Sequence, residues 1–425
     1  MIEPPLHLWL PGKLPRGVGD HLDRLRRTEG IAAIAIMPDV HLAAEFCVGT
    51  VVASDRFLYP NAVGGDIGCG MLALRFDTAH RPAGKLLADP AVAARLLGEF
   101  ALLCPGRRHH RRTAHSLPAQ LAELPMSSPH LHAQKNGEAL RAQLGTLGAG
   151  NHFLELQAEE CAAVVPDSGG AYGDGTAAAH QSAPVRGGEG DGSKGRDGDA
   201  FWLMLHTGSR HLGQAILRHH LPKARRLATG IFAIPADSSE GRAYLLDVAA
   251  ARAWARENRR LLALRAADAL HRLVGISPDL ATLYDCDHNH VQLETHAGRP
   301  LFIHRKGATP AAAGLPGLIP GSMGTRSYHT LGKGQADSLC SSSHGAGRAL
   351  SRAQARDAIS RSTLRQQLRS RRHDLNPIWY DARLEDALRE EAPSAYKPIE
   401  EVMAAQTDLT EIRRTLRPLL IHKAV

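Results

Sequence analysis

The stretch NAVGGDIGCGM, residues 61–71, sets the carboxylate of Asp66 and the thiol of Cys69 three positions apart among Gly64, Gly65, Gly68 and Gly70. A carboxylate is a hard metal donor and a thiolate a soft one, while glycines permit positive φ and leave room for other groups to approach. Four more segments place a histidine among small residues at the edge of an apolar run. They are LGAGNHFLE (Asn151, His152, Phe153, Glu155), MLHTGSRHLG (His206, Arg210), DCDHNHVQLE (His288, Asn289) and SSSHGAGRALSR (His344, Gly345, Gly347, Arg348, Arg352). Singly, each histidine reads as a satisfied polar residue and the thiol as a small hydrophobe. Together, one carboxylate, one thiol and several imidazoles are the donors of a one- or two-metal site, with the sulfur able to bridge two ions. The donors do not choose the metal, since the affinity order favours zinc over manganese.

Other residues suit phosphate. Arg210 follows His206 by four positions and is a bidentate donor for an anion, or else half of a surface ion pair. Asn151 and Asn289 stand beside histidines that they could orient. The segment GLIPGSMGTRSYHTLGKG, with Ser322 and Ser327, could cradle a phosphate on backbone N–H groups. His344 precedes a Gly-Ala-Gly turn, and the periodicity predicts a helix from there with Arg348 and Arg352 on one face. His344 could ligate metal or attack phosphorus, and the residues leave both roles open.

These segments need a frame. A chain of 425 residues can bury a large core, and no apolar run is long enough to cross a bilayer. The first twenty residues lack a basic region followed by an apolar run, so a secretory leader is not expected. Six widely scattered cysteines do not resemble a disulfide framework and fit a reducing, cytoplasmic setting. A formal charge of +8 favours polyanionic partners, and RRHHRRTAH, from Arg107, is either a solvated loop or a phosphate contact. Residues 31–76 read as short strands joined by tight loops. Helical periodicity is expected over 85–103, 214–228, 238–274, 346–371 and 382–415, with strands at 202–206, 281–294 and 300–304. The Gly/Asp-rich stretch 166–200 reads as a flexible insertion. The mixed order predicts an α+β fold: one large domain over 1–425, with mixed sheets, flanking helices and a central metal-binding cleft.

MPDVH, DIGCG, GTLGAGNHFLE, HTGSRHLG, HRKGAT, IPGSMGTRSY, HGAGRALSR and AYKPIEEV…RPLLIHK follow one another from residue 37 to the C-terminus. In this ordered series the chain resembles the RtcB family of RNA ligases. The resemblance implies GTP- and manganese-dependent joining of RNA 2′,3′-cyclic phosphate or 3′-phosphate ends to 5′-hydroxyl ends, in RNA repair or tRNA processing. It implies that Asp66, Cys69, His152, His206 and His288 hold two Mn2+ ions and that His344 takes GMP from GTP, passing it on to form an RNA-ppG intermediate. It further implies that Asn151, Phe153, Glu155, Asn289, Ser322, Ser327, Gly345, Gly347, Arg348, Tyr396 and Lys423 hold the nucleotide. Arg210 and Arg352 would meet RNA phosphates, Asp39 would assist catalysis, and an archease-type activator could be a partner. Arg326, His211 and the stretch 166–200 depart from the family pattern and leave the RNA substrate open. The alternatives are a metal-dependent phosphoesterase that opens cyclic phosphates and a noncatalytic RNA-end-binding module.

Overall fold

The computed structural model describes residues 3–79, 81–109, 117–160, 200–369 and 378–423. All but Ala200 of the stretch 166–200, most of the RRHHRRTAH cluster, and Cys161 lie outside the described residues. The fold is α+β, as the mixed order of elements predicts.

Two sheets dominate. The smaller runs in the order Leu6–Leu8, Ile31–His41, Val48–Ser54, Arg299–Lys306 and Asn289–His296, antiparallel except for its first pair. The larger runs Ser277–Asp287, Gly70–Asp77, Phe201–Thr207, Phe153–Glu160, Thr410–His422, Ser327–Gly332 and Pro316–Ile319, antiparallel throughout, with Trp379–Tyr380 added in parallel to Thr410–His422.

Period-two alternation sorts the larger sheet into two faces. Leu72, Leu74, Leu154, Leu156, Leu203 and Leu205 point into a core shared with the helix Pro90–Leu103 and the C-terminal half of the helix Ser239–Val274. Met71, Ala73, Trp202 and Met204 point the other way, into a separate cluster. His206 and Phe153 continue this second face, and register pairs both Met71 and Phe153 with His206. Alternation thus delivers the functional side chains to the face opposite the helices.

The helix Ser239–Val274 is 36 residues long and rich in Ala, Leu and Arg, all strong helix formers. Ser238 caps its start by accepting from the Gly241 N–H at 2.9 Å. Gly275, at φ 71°, closes its end by donating to the carbonyls of Leu270 and His271. Its N-terminal half packs Tyr244, Val248, Ala251 and Trp254 against Leu212, Ile216 and Val291. One rigid rod therefore touches both of the largest clusters.

Several expected elements differ. The helix expected over 85–103 divides at Pro90, and the one at 214–228 spans His211–His220. The continuous helix expected over 346–371 is instead two short ones, Arg352–Ala358 and Arg361–Leu368, each restarted by a serine cap, Ser351 and Ser360. Arg348 lies ahead of them and bridges Tyr396, so Arg348 and Arg352 do not share a helical face. Over 382–415, prolines at 393 and 398 limit the chain to short helices such as Glu385–Leu388 and Ile399–Ala404, and Thr410–His422 is a strand of 13 residues. It pairs with Ser327–Gly332 along its N-terminal half and with Phe153–Glu160 along its buried C-terminal half, which overrides any helical periodicity.

Candidate active site

Five side chains meet in a contact series whose centre is Cys69. The Cys69 Sγ lies 3.1 Å from His206 Nε2 and 3.4 Å from His152 Nε2. His152 Nε2 is 3.1 Å from Asp66 Oδ2, and His206 Nε2 is 3.3 Å from His288 Nε2. Among the described residues, Cys69, His152 and His206 offer ligand atoms all within 4.8 Å of one another. Cys69, His206 and His288 are almost fully buried.

The electrostatics suit a cation. Burial, reinforced by neighbouring histidines, pushes His206 and His288 well below the usual imidazole range, so both are neutral and keep a lone pair. His206 Nδ1 faces the Asn151 carbonyl at 3.2 Å, which makes Nε2 the lone-pair nitrogen aimed at Cys69. Burial, then the Asp66 charge, raises the Cys69 thiol well above its ordinary value. Enclosure in the cleft pushes the Asp66 carboxyl up, but its hydrogen bond to His152 and nearby positive charge more than offset this, and it titrates below its usual range. His152 Nδ1 and His288 Nδ1 are buried with no hydrogen-bond partner. Imidazole nitrogens gathered on a sulfur beside a carboxylate are the donor set that a divalent ion takes.

The glycines of DIGCG admit the close approach of protein backbone. A Cβ at Gly68 would lie 2.9 Å from Arg252 Cα, and one at Gly70 would lie 2.3 Å from the Cys286 carbonyl oxygen. Their missing side chains let the long helix and a neighbouring strand press against the loop, and do not open space for ligand or RNA. Gly148 acts similarly, since a Cβ there would meet Arg210 and His152.

Two cavities meet at the cluster. The first, about 250 Å3, is lined by Asp66, Cys69, His206 and His288 together with Asn151, Phe153, Glu155, Asn289, Ser322, Ser327, His344, Gly345, Gly347, Arg348, Arg352, Tyr396 and Lys423. The second, about 1100 Å3, shares Asp66 and Asn151 and is lined also by His152, Arg210, Arg107, Arg108 and His211. Arg210 is partly committed to protein, donating to the Gly106 carbonyl at 3.0 Å and Thr146 Oγ1 at 3.1 Å. His211, one departure from the pattern of the resemblance, faces Gln143 at 2.6 Å. Arg326, the other departure, pairs with Glu160 at 2.6 Å.

His344 stands beside the cluster, its ring centroid 4.7 Å from that of His288. Asp39, fully buried, lies beneath it: Oδ2 is 2.5 Å from His344 Nδ1 and accepts the His344 backbone N–H at 3.2 Å. Lys397 fixes that segment by donating to the carbonyls of Pro38 and Val40 at 2.9 and 2.7 Å.

Some residues escape sequence reasoning. Glu391 accepts from Lys423 at 2.9 Å, Tyr396 at 2.6 Å and Arg348 at 3.2 Å, tying three cavity side chains together. Nothing in REEAPSAY marks it, because its partners are up to 43 positions away. Lys306, in HRKGAT, lines the cavity and donates to the Asn61 carbonyl at 3.1 Å. A lysine beside a glycine in a strand-end motif was the available signal.

A buried thiol–imidazole cluster on the floor of a cavity rimmed by cationic side chains has the donor set of a metal centre beside an anion-binding pocket. The family described as tRNA-splicing ligase RtcB matches residues 21–89 and 107–424. The RNA-splicing ligase RtcB of Escherichia coli (strain K12) is 33% identical over 413 residues, covering 92% of this chain and 90% of that protein. The RNA-splicing ligase RtcB of Mycobacterium tuberculosis is 32% identical over 442 residues, covering 91% and 95%. The tRNA-splicing ligase RtcB of Archaeoglobus fulgidus is 29% identical over 451 residues, covering 92% and 87%. The chain belongs to the RtcB family and is an RNA ligase. Among the described residues, no helix is long and apolar enough to cross a membrane.

Proposed function

We propose that the protein joins RNA 3′-phosphate or 2′,3′-cyclic phosphate ends to 5′-hydroxyl ends, using GTP and manganese, through a guanylylated His344. The observation that carries this reading is the His344–Asp39 pair at 2.5 Å beside the thiol–imidazole cluster. With Nδ1–H donated to the carboxylate, Nε2 is the unprotonated nucleophile, and Asp39 stabilises the positive charge that grows on the ring as Nε2 attacks.

Divalent cations held by Asp66, Cys69, His152, His206 and His288 would offset the charge on each phosphoryl group in transfer. His344 Nε2 forms a bond to the α-phosphorus of GTP as the bond to the bridging oxygen breaks, and pyrophosphate leaves. The RNA 3′-phosphate then displaces His344 from that phosphorus, giving RNA-ppG. The 5′-hydroxyl attacks the former 3′-phosphate, GMP leaves, and the hydroxyl proton passes to the medium. A cyclic end must first be opened by water to the 3′-phosphate. The ring of Phe153, with Lys423 Nζ 6.0 Å from its centroid, and the acids Glu155 and Glu391 suit a flat, amide-bearing base. Arg348 and Arg352 suit its phosphates, and Arg107, Arg108 and Arg210 give the second cavity the charge that an RNA strand needs.

The test incubates the full chain with Mn2+ and α-labelled GTP. Acid-labile label on the protein with pyrophosphate release, lost in His344→Ala, is expected. Opening of cyclic phosphate by a protein that never takes label would replace this reading with the phosphoesterase. RNA binding with neither reaction would leave an RNA-end-binding module.

A further inference from the structure

Asn258 and Arg259 are adjacent on the long helix, 0% and 1% exposed, and line neither of the two cavities. Their side chains reach every segment that carries an imidazole or thiol of the cluster. Arg259 Nη1 donates to the carbonyls of Gly68 and Thr207, each at 2.8 Å, one residue before Cys69 and one after His206. Its Nε and Nη2 grip Asp285 at 2.6 and 2.8 Å, on the strand that leads into His288. Asn258 Oδ1 accepts the N–H groups of Gly145 and Thr146 at 2.6 and 3.2 Å, at the start of the loop ending in His152. Asn258 Nδ2 returns a bond to the Thr146 carbonyl at 3.0 Å.

We propose that Asn258 and Arg259 are positioning residues for the metal cluster, locking the segments of Cys69, His152, His206 and His288 to one helix so that the ligand atoms hold their spacing before an ion arrives. The assignment rests on the metal reading given above. A buried guanidinium is costly unless its charge and donors are all met, and here every partner is a ligand-bearing segment. The helix also touches the Cys69 loop directly, through the close approach at Gly68. Spacing fixed by a 36-residue rod holds better than spacing fixed by four loops.

The test is a Co2+ titration of the full chain, read by the thiolate-to-cobalt charge-transfer band in the near ultraviolet. Wild type is expected to show the band and Cys69→Ser to lack it. Affinity for Co2+ falls by roughly 10- to 100-fold in Arg259→Met and in Asn258→Ala, the range typical of residues that orient metal ligands. Arg259→Lys recovers part of the loss. Arg260→Met, which removes an ion pair to Glu257 on the same helix, leaves the titration unchanged. Folded Arg259→Met or Asn258→Ala with wild-type affinity overturns the proposal. So does a lowered melting temperature with unchanged Co2+ affinity, which assigns the pair to fold stability. If Arg259→Met does not fold, Arg259→Lys and Asn258→Ala decide, and failure of all three to fold also overturns it. A wild type without the Cys69-dependent band rejects the metal reading itself.

Discussion

Glu155 is a site residue whose environment departs far from what its type suggests. Buried on the cavity wall, its carboxyl is pushed up to about 8, despite the hydrogen bond from Gln157 at 2.6 Å and the charge of Lys423. The folded protein keeps this proton over a range where the unfolded chain, with an ordinary value of 4.5, has released it. Stability therefore falls as pH rises from about 4.5 to about 8 and is level beyond. Glu155→Gln removes that slope. Melting curves of the two proteins across this window are expected to coincide at the acid end and to separate toward pH 8, with the variant higher. Parallel curves would mean that the carboxyl is already ionised in the folded state. The residue type and its place in GNHFLE were legible in the sequence. The proton was not, because it depends on which strands cover the side chain.

At the scale of elements, the decisive contact joins the DIGCG loop to the long helix. Gly68 sits at φ 73°, and a Cβ there would lie 2.9 Å from Arg252 Cα and 3.1 Å from Ala255 Cβ. Gly68→Ala is expected to lower stability by at least about 1–2 kcal/mol, the cost of the left-handed backbone alone. Urea unfolding measures it, and an unchanged midpoint would show that loop and helix separate freely. The same level explains which elements the sequence revealed. The strands at 31–76 and the helix at 238–274 carry strong local patterns, and they formed within a few residues of expectation. Residues 346–371 also have helical periodicity, yet serine caps and the bridge between Arg348 and Tyr396 reset the chain locally. The strand Thr410–His422 owes its form to neighbours far away in sequence, which no local window contains.

At the scale of the molecule, a formal charge of +8 and two cavities meeting at one cluster set the terms for RNA. Affinity for a short single-stranded RNA with a 3′-phosphate is expected to fall linearly on a log–log plot against salt. Each phosphate contact removed, as in Arg107→Ala or Arg108→Ala, is expected to lessen the slope by about 0.7. Fluorescence anisotropy at several NaCl concentrations checks this. Unchanged slopes in both variants would place the strand away from the second cavity.

The sequence by itself determined the donor types, their order along the chain and the family they spell, because side-chain chemistry and motif spacing are local properties. Only tertiary structure decided that residues as distant as Cys69 and His206 lie 3.1 Å apart, that Glu391 gathers Lys423, Tyr396 and Arg348, and that Asn258 and Arg259 hold the ligand-bearing segments. Those facts arise from strand register and from one long helix crossing two cores. Contacts of that kind are selected by the free energy of the whole packed chain, and no segment encodes them alone.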